Sequence, residues 1–498
     1  MSRTTAPADT PSSTETELKL ALPGTDPSEL LHRLSRTPVL RRRKPQQQVL
    51  HSIYFDTPQH HLRRAQAALR IRRVDGGAAP RWLQTLKTGA QGSSALSRRG
   101  EWEVPVAGPA LEPGALDATA WSRIDPDGAW IGILEPCFVT TFTRTIWLVR
   151  RRDGSVIEVA LDIGSVTHDG RSAPICELEL ERKAGPVSAL FELAQQIAQS
   201  VAVLPSAMSK AQRGYALAAA SIDAPTMAMP PRLTSRMTLH DTARGVIAEM
   251  FGQFTANLNA LLRSDDPEVV HQARVAWRRM RSARRLFKTV MPADGQPDWR
   301  ALDPLLTTLG ELRDLDVART ETLPPLREAF VGGNADRARA WDAMERRLDQ
   351  TRTSLRAAAR HHLQDPAMGL CLLQATRWLE PTAPEPATTE EASLRHWAKD
   401  RATRLHARLK RARKRADDPQ DLHDVRLLAK RTRYSIEALR AVLPRQVVRK
   451  WYPQAVDLQK QIGAERDLEQ AIVLLARFEV RPDLAAFVRG VLAGRAMH

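Results

Sequence analysis

Cysteine is almost missing from this chain of 498 residues: Cys137, Cys176 and Cys371 stand far apart and odd in number. They exclude a disulfide framework and a C-x-x-C zinc site, and they fit a reducing compartment. Aromatic residues make up only 5%, too few for a reader of single-stranded nucleic acid that stacks bases on exposed rings. No stretch approaches the ~18 consecutive apolar residues of a membrane-spanning helix. The segment from Met1 to Ser13 also lacks the apolar middle of a secretory signal. These absences predict a cytoplasmic protein with no membrane partner. What is plentiful is positive charge: 74 Lys and Arg against 57 Asp and Glu give a formal net charge of +17. That excess points to an anionic partner such as nucleic acid, an acidic membrane surface or polyphosphate. With 43% hydrophobic and 26% charged residues, the composition is globular, and the length suffices for two or three domains.

The N-terminal half alternates with a period of two. The spacing predicts a first strand at Glu15-Thr16-Glu17-Leu18-Lys19, with Glu15, Glu17 and Lys19 on one face and Thr16, Leu18 and Leu20 on the other. Two carboxylates and an ammonium in a row suit a hard divalent cation beside a phosphate; the alternative is a solvated face with a Glu–Lys pair. Seven further strands are predicted at 51–56, 68–74, 81–87, 98–105, 141–150, 155–164 and 174–182. They repeat the pattern. Arg70 and Arg72 oppose Leu69 and Ile71, and Glu101 and Glu103 fall with Arg99. Glu158 and Asp162 alternate against Ile157, Val159 and Leu161, as Glu177, Glu179 and Glu181 do against Cys176, Leu178 and Leu180. An apolar outside around a polar inside is also the pattern of a membrane barrel. Short strands, missing aromatic girdles and helices predicted at 27–37, 186–200 and 209–220 favour a closed barrel with a charged interior and helical cover. Buried charge of this density is costly unless it pairs or binds ions. Acids on the first, seventh and eighth strands could hold metal, and bases on the third, fourth and sixth could hold an anion.

These residues resemble the CYTH superfamily of triphosphate tunnel metalloenzymes. The resemblance begins with Glu15-x-Glu17-x-Lys19 and continues through Tyr54-Phe55-Asp56-Thr57-Pro58, Leu69-Arg70-Ile71-Arg72, Thr85-Leu86-Lys87 and Arg99-Gly100-Glu101-Trp102-Glu103. Arg144, Ala160-Leu161-Asp162-x-Gly164, Glu177-Leu178-Glu179-Leu180-Glu181 and Ser209-Lys210-Ala211-Gln212-Arg213-Gly214-Tyr215 follow in order. The resemblance implies a tunnel that takes a triphosphate with one or two Mg²⁺ or Mn²⁺ ions. Glu15, Glu17 and Lys19 would be catalytic, and Glu15, Glu17, Asp162, Glu177 and Glu179 would ligate metal. Lys19, Arg70, Arg72, Lys87, Arg99, Arg144 and Lys210 would bind the phosphates. For each residue the alternative is a structural ion pair inside the barrel.

The C-terminal half changes period. Residues 221–236, rich in Pro, Met and Ala, read as a linker, and long charged helices follow. Val270-His271-Gln272-Ala273-Arg274 recurs 152 residues later as Leu422-His423-Asp424-Val425-Arg426, an internal repeat. Leu309-Gly310-Glu311-Leu312-Arg313-Asp314-Leu315-Asp316 recurs more loosely as Ile462-Gly463-Ala464-Glu465-Arg466-Asp467-Leu468-Glu469. A Pro/Thr/Glu-rich loop from Glu380 to Glu391 parts the copies. At helical spacing His271, Arg274, Arg278, Arg281 and Arg285 form one stripe, opposite Val269, Ala273, Ala276, Met280, Ala283 and Phe287. His423, Arg426, Lys430 and Arg433 repeat it opposite Val425, Leu428 and Ile436. Like charges a turn apart repel, so two matched stripes favour an anion over a merely solvated face. Residues 401–415 add eight more Lys or Arg and no acid. As metal ligands His271 and His423 lack a third partner. This half resembles the CHAD domain, which implies binding of inorganic polyphosphate along a basic groove by both stripes.

The expected fold is therefore multidomain α+β. A tail (1–12) precedes an eight-stranded antiparallel β tunnel (13–220). After the linker comes an all-α helical bundle with internal duplication (237–498, halves 237–379 and 392–498). The expected function is metal-dependent hydrolysis of inorganic triphosphate, joined to polyphosphate binding and association with polyphosphate granules. Thiamine-triphosphatase or adenylate-cyclase activity of the same tunnel, or a non-catalytic polyphosphate-binding protein, are the alternatives. Nucleic acid is the less favoured anion, and the oligomeric state is left open.

Overall fold

The computed structural model describes residues 14–24, 26–77, 79–89, 94–234, 237–380, 391–415, 419–477 and 481–496. The chain folds as two compact units: the first takes everything up to Ala224 plus Gln364–Trp378, and the second takes Pro225–Leu363 and the remainder from Leu379.

In the first unit all eight expected strands form, at Thr14–Ala21 (β1), Gln46–Asp56 (β2), Ala68–Asp75 (β3), Arg81–Lys87 (β4), Leu96–Val106 (β5), Glu135–Arg150 (β6), Val156–His168 (β7) and Arg171–Ala184 (β8). Every pairing is antiparallel, in the order β5-β4-β3-β2-β6-β7-β8-β1, and β1 pairs β5 as well as β8, so the sheet closes on itself. Closure removes the exposed edges. A two-residue strand, Leu204–Pro205, adds to β1. β2, β6 and β8 run longer than the alternation predicts. β7 and β8 meet at Asp169-Gly170, both in the left-handed region (φ 46° and 72°), the conformation a two-residue hairpin turn requires.

Helices cover the ring where the strands point apolar side chains outward. Pro27–Arg36 (α1) starts at Asp26, whose carboxylate accepts from the Ser28 amide, and Ser188–Ala198 (α4) lies across the barrel; the short His61–Arg64 (α2) and Trp121–Ile124 (α3) fall between them in sequence. Leu30 and Leu34 of α1 and Leu190, Leu193 and Ile197 of α4 pack in one core with Leu18, Leu20, Val159, Leu161, Leu178 and Leu180. Lys210–Ala218 (α5) is capped by Ser209 and Gln212, each bonding the other's backbone. The segment Pro366–Leu379, expected within the helical half, is a helix whose Leu373 is fully buried in this same core. The first unit is thus built from two separate stretches of chain, the second of them Gln364–Trp378.

The second unit is helical: Leu239–Leu261 (α6), Pro267–Leu286 (α7), Asp303–Val317 (α8), Arg327–Val331 (α9) and Ala335–His362 (α10). After Pro366–Leu379 (α11) come Glu391–Arg413 (α12), Pro419–Leu439 (α13), Arg445–Arg477 (α14) and Pro482–Ala496 (α15). The starts of α6 and α12, and of α7 and α13, are each 152 residues apart, so the repeated motifs sit on equivalent helices. The expected inward face of α7 is buried throughout, Val269 to Phe287. The segment expected to be a linker is partly pinned here. Buried Asn257 donates to the Thr226 carbonyl at 2.9 Å and accepts from its amide at 3.0 Å, and Arg279 reaches the Met229 carbonyl at 3.4 Å. Buried side-chain amides need partners, and an aperiodic backbone supplies them.

Candidate active site

The ring turns its charged faces inward around a cavity of about 750 Å³. β1 delivers Glu15, Glu17 and Lys19 to it, β3 Arg70 and Arg72, β4 Lys87, β5 Arg99, β6 Arg144 and β8 Glu179, while α5 adds Lys210. Asp162 of β7 and Glu177 of β8 lie just behind, fully or almost fully buried. Every tunnel residue expected from the sequence is therefore brought to one place.

They do not form a single cluster. Asp162, Glu177 and Glu179 offer oxygens within 4.8 Å of one another, and Lys210 Nζ sits among them, 2.6 Å from Asp162, 2.9 Å from Glu179 and in contact with Glu177. Arg144 also bonds Asp162 (2.7 and 2.6 Å) and Glu179. Glu15 and Glu17 stand apart from this triad. Arg99 bridges them at 2.8 and 2.6 Å, Lys87 reaches Glu15 at 2.9 Å, and Lys19 lies between Glu17 (3.8 Å) and Glu179 (3.1 Å).

The electrostatics follow. Burial pushes the carboxyls of Asp162 and Glu179 up, but Arg144 and Lys210 at the first, and Lys210, Lys19 and Arg144 at the second, outweigh it and hold both low. Burial opposes the charge on Lys210 too, and Asp162, Glu177 and Glu179 more than reverse the effect. Arg72 is the exception: burial, then the neighbouring Arg70, lowers its pKa to about 10.

Sequence reasoning passed over several groups. The Tyr54 hydroxyl lines the tunnel 3.3 Å from Arg70 Nη1, and Ser97 Oγ lies 3.4 Å from Glu17. Asp56 is wholly buried and accepts from the amides of Thr57, Leu62 and Arg63 and from the Tyr215 hydroxyl at 2.7 Å. Tyr215 belongs to α5, so Asp56 anchors the helix that carries Lys210. Gly214 permits this seat, because a Cβ there would lie 2.2 Å from the Phe138 ring. The motif run from Tyr54 to Pro58 was the available signal, although its spacing alone names no role.

In the helical unit Arg274, Arg278 and Arg281 face a second cavity of about 690 Å³ with Arg284, Arg300 and Trp299. Burial, then Arg278, depresses Arg274; burial, then Arg313, depresses His271, whose buried Nδ1 has no hydrogen-bond partner among the described residues. Arg285 is exposed, and Arg426 and Lys430 are half-buried. Arg433 is tied to Glu437 at 3.0 Å. The side chains of His423 and of Gly463-Ala464-Glu465-Arg466-Asp467 lie outside the described ones.

A closed antiparallel tunnel lined by carboxylates and cations, with a duplicated helical unit, defines the class of protein. Residues 13–215 match the CYTH domain and residues 245–476 the CHAD domain. Along the chain a CYTH-domain match is thus followed by a CHAD-domain match. An inorganic triphosphatase of Haemophilus influenzae is 33% identical over 204 residues, 41% of this chain and 54% of that protein. The chain thus matches about half the length of this curated relative. Among solved structures, the CHAD domain of the plant Ricinus communis is 27% identical, covering 55% of this chain and 92% of that one with a TM-score of 0.45. A Hippeastrum protein, described as a candidate adenylyl cyclase with dominant triphosphatase activity, is 20% identical over 41% of this chain and 95% of that one, TM-score 0.31.

Proposed function

We propose that the first unit hydrolyses inorganic triphosphate to diphosphate and phosphate with one or two Mg²⁺ or Mn²⁺ ions, and that the second binds long-chain inorganic polyphosphate. The observation that carries the first part is the convergence on one tunnel of the five carboxylates and seven cations singled out above, in a chain whose relative is an inorganic triphosphatase. The buried triad suits the metal: it is an all-oxygen donor set, as hard divalent cations prefer, and it already holds the ammonium of Lys210. Glu15 and Glu17 extend that set. A bound divalent ion would draw charge from the phosphate oxygens and acidify a water.

The chain's own groups do the positioning. Phosphoryl transfer is dominated by orientation and charge stabilisation, and Arg70, Arg72, Lys87, Arg99 and Arg144 reach inward from β3, β4, β5 and β6 to neutralise a linear run of phosphates. Lys19 and Lys210 stand beside the carboxylates, where they can follow charge moving to the departing phosphate. Thiamine triphosphate and ATP remain competing substrates, and a receptor without catalysis is the reading from another class. Five carboxylates argue against the last, because a pure anion receptor gains nothing from them.

Phosphate release from tripolyphosphate, thiamine triphosphate and ATP, each with Mg²⁺ and Mn²⁺, tests the reading. Tripolyphosphate should be turned over fastest. Replacing both Glu15 and Glu17 with Gln should abolish turnover in a protein that still melts cooperatively; turnover within a few-fold of the original would remove these two residues from the site. Supporting the second part are the paired basic stripes, with association at polyphosphate granules as its cellular extension.

A further inference from the structure

The charges of the tunnel neutralise one another almost completely. Of the seven tunnel cations that are buried or half-buried, six touch carboxylates: Lys19, Lys87, Arg99, Arg144 and Lys210 by the contacts given above, and Arg70 through Glu101 at 3.7 Å. Arg72 does not. It is 8% exposed, and its Nε donates to Ser52 Oγ at 3.0 Å. Among the described residues no carboxylate oxygen comes within ion-pair distance of its guanidinium; Glu103 acts on it only from farther off, and the Phe142 ring lies 5.9 Å from Cζ.

This pattern constrains how ligands bind. A divalent cation arriving alone at Asp162, Glu177 and Glu179 must expel the Lys210 ammonium and loosen Arg144, leaving two buried cations without partners. A triphosphate arriving alone must draw cations away from Glu15, Glu17 and Glu179, leaving buried carboxylates exposed to one another. Removing one half of a buried pair is strongly unfavourable, because the other half stays behind uncompensated. When both ions arrive, each displaced group meets a new opposite charge. Of the seven, Arg72 alone can receive an anion without breaking a pair among the described residues.

We propose that the tunnel takes up its divalent cation and its triphosphate as a coupled pair by exchange of internal ion pairs, with Arg72 as the seat where the anion first engages. The proposal rests on the triphosphatase reading of the tunnel. Coupling is reciprocal: whatever factor the anion adds to metal affinity, the metal adds to anion affinity.

The test uses the full chain, Mn²⁺ and a non-hydrolysable imido-bridged triphosphate, each titrated with and without the other by calorimetry, with the paramagnetic signal of free Mn²⁺ as a second readout. Each ligand should raise the affinity of the other roughly 10- to 100-fold. Lys210→Met should bind Mn²⁺ alone more tightly than the original chain and lose most of the coupling. Arg72→Met should weaken binding of the metal-free analogue, yet raise the melting temperature, since an unpaired buried cation is gone. Affinities that are independent within about twofold overturn the coupling while leaving the substrate assignment intact, and a lower melting temperature for Arg72→Met overturns the role of that residue. An analogue that never binds, with or without Mn²⁺, overturns the triphosphatase reading and the coupling with it.

Discussion

Asp56 illustrates how much a single residue outside the cavity can decide. Its carboxylate accepts from three amides and from the Tyr215 hydroxyl in a site closed to solvent. The burial of Tyr215, then this bond, holds its hydroxyl protonated well above the usual phenol range, so it remains a donor. Asp56→Ala would leave four donors without a partner, and each buried unsatisfied group costs about 1–3 kcal/mol. A loss of more than about 3 kcal/mol is expected in denaturant unfolding. Tyr215→Phe removes one bond and should cost only about 1 kcal/mol, yet it frees the anchor of α5 and so should raise the KM for triphosphate. An unchanged KM in Tyr215→Phe would show that Lys210 is held by its carboxylates alone.

At the scale of elements, α11 has the largest consequence. Alternation and motif order place the whole tunnel domain before residue 220, and a fragment ending near Asp223 looks self-sufficient on that basis. The helix Pro366–Leu379 belongs to the same compact unit, with Leu373 buried beside the outward leucines of β1 and β8. Leu373→Ala should cost about 2–5 kcal/mol, as large-to-small changes in a packed core do. The fragment without α11 should melt lower than the tunnel in the full chain and bind a hydrophobic dye. A fragment ending at Asp223 that matches the full chain in melting temperature and dye binding would assign α11 no part in the core.

For the molecule as a whole, the division of labour is the testable matter. The tunnel encloses carboxylates with its cations, whereas the α7 face carries Arg274, Arg278 and Arg281 around an open cavity with a single acid, Asp303, in its lining. Reversing Arg274, Arg278, Arg426 and Lys430 to Glu should lower affinity for long-chain polyphosphate by several orders of magnitude, at roughly 1 kcal/mol or more for each contact. The salt dependence should flatten as well, because fewer counterions are released per complex. Turnover of tripolyphosphate should barely change. Full long-chain affinity in this variant, measured in competition with DNA and tripolyphosphate, would detach polyphosphate from the stripes.

The sequence by itself determined the strands, their inward charge and the equivalence of α7 and α13. A period of two with charge on one face has few solutions other than a closed, charged lumen, and a repeat of 152 residues survives any arrangement of the helices. Only the tertiary structure decided which charges meet. Register and closure put Lys210 into the triad of Asp162, Glu177 and Glu179, gave Glu15 and Glu17 to Arg99, and left Arg72 with no acid at ion-pair distance among the described residues. They also drew α11 into the tunnel core and laid the segment after Ala224 against Asn257. Local patterning reports which face a side chain takes, since that depends on the backbone period alone. Its partner depends on distances between segments tens to hundreds of residues apart, and those are fixed only when the ring closes and the core packs.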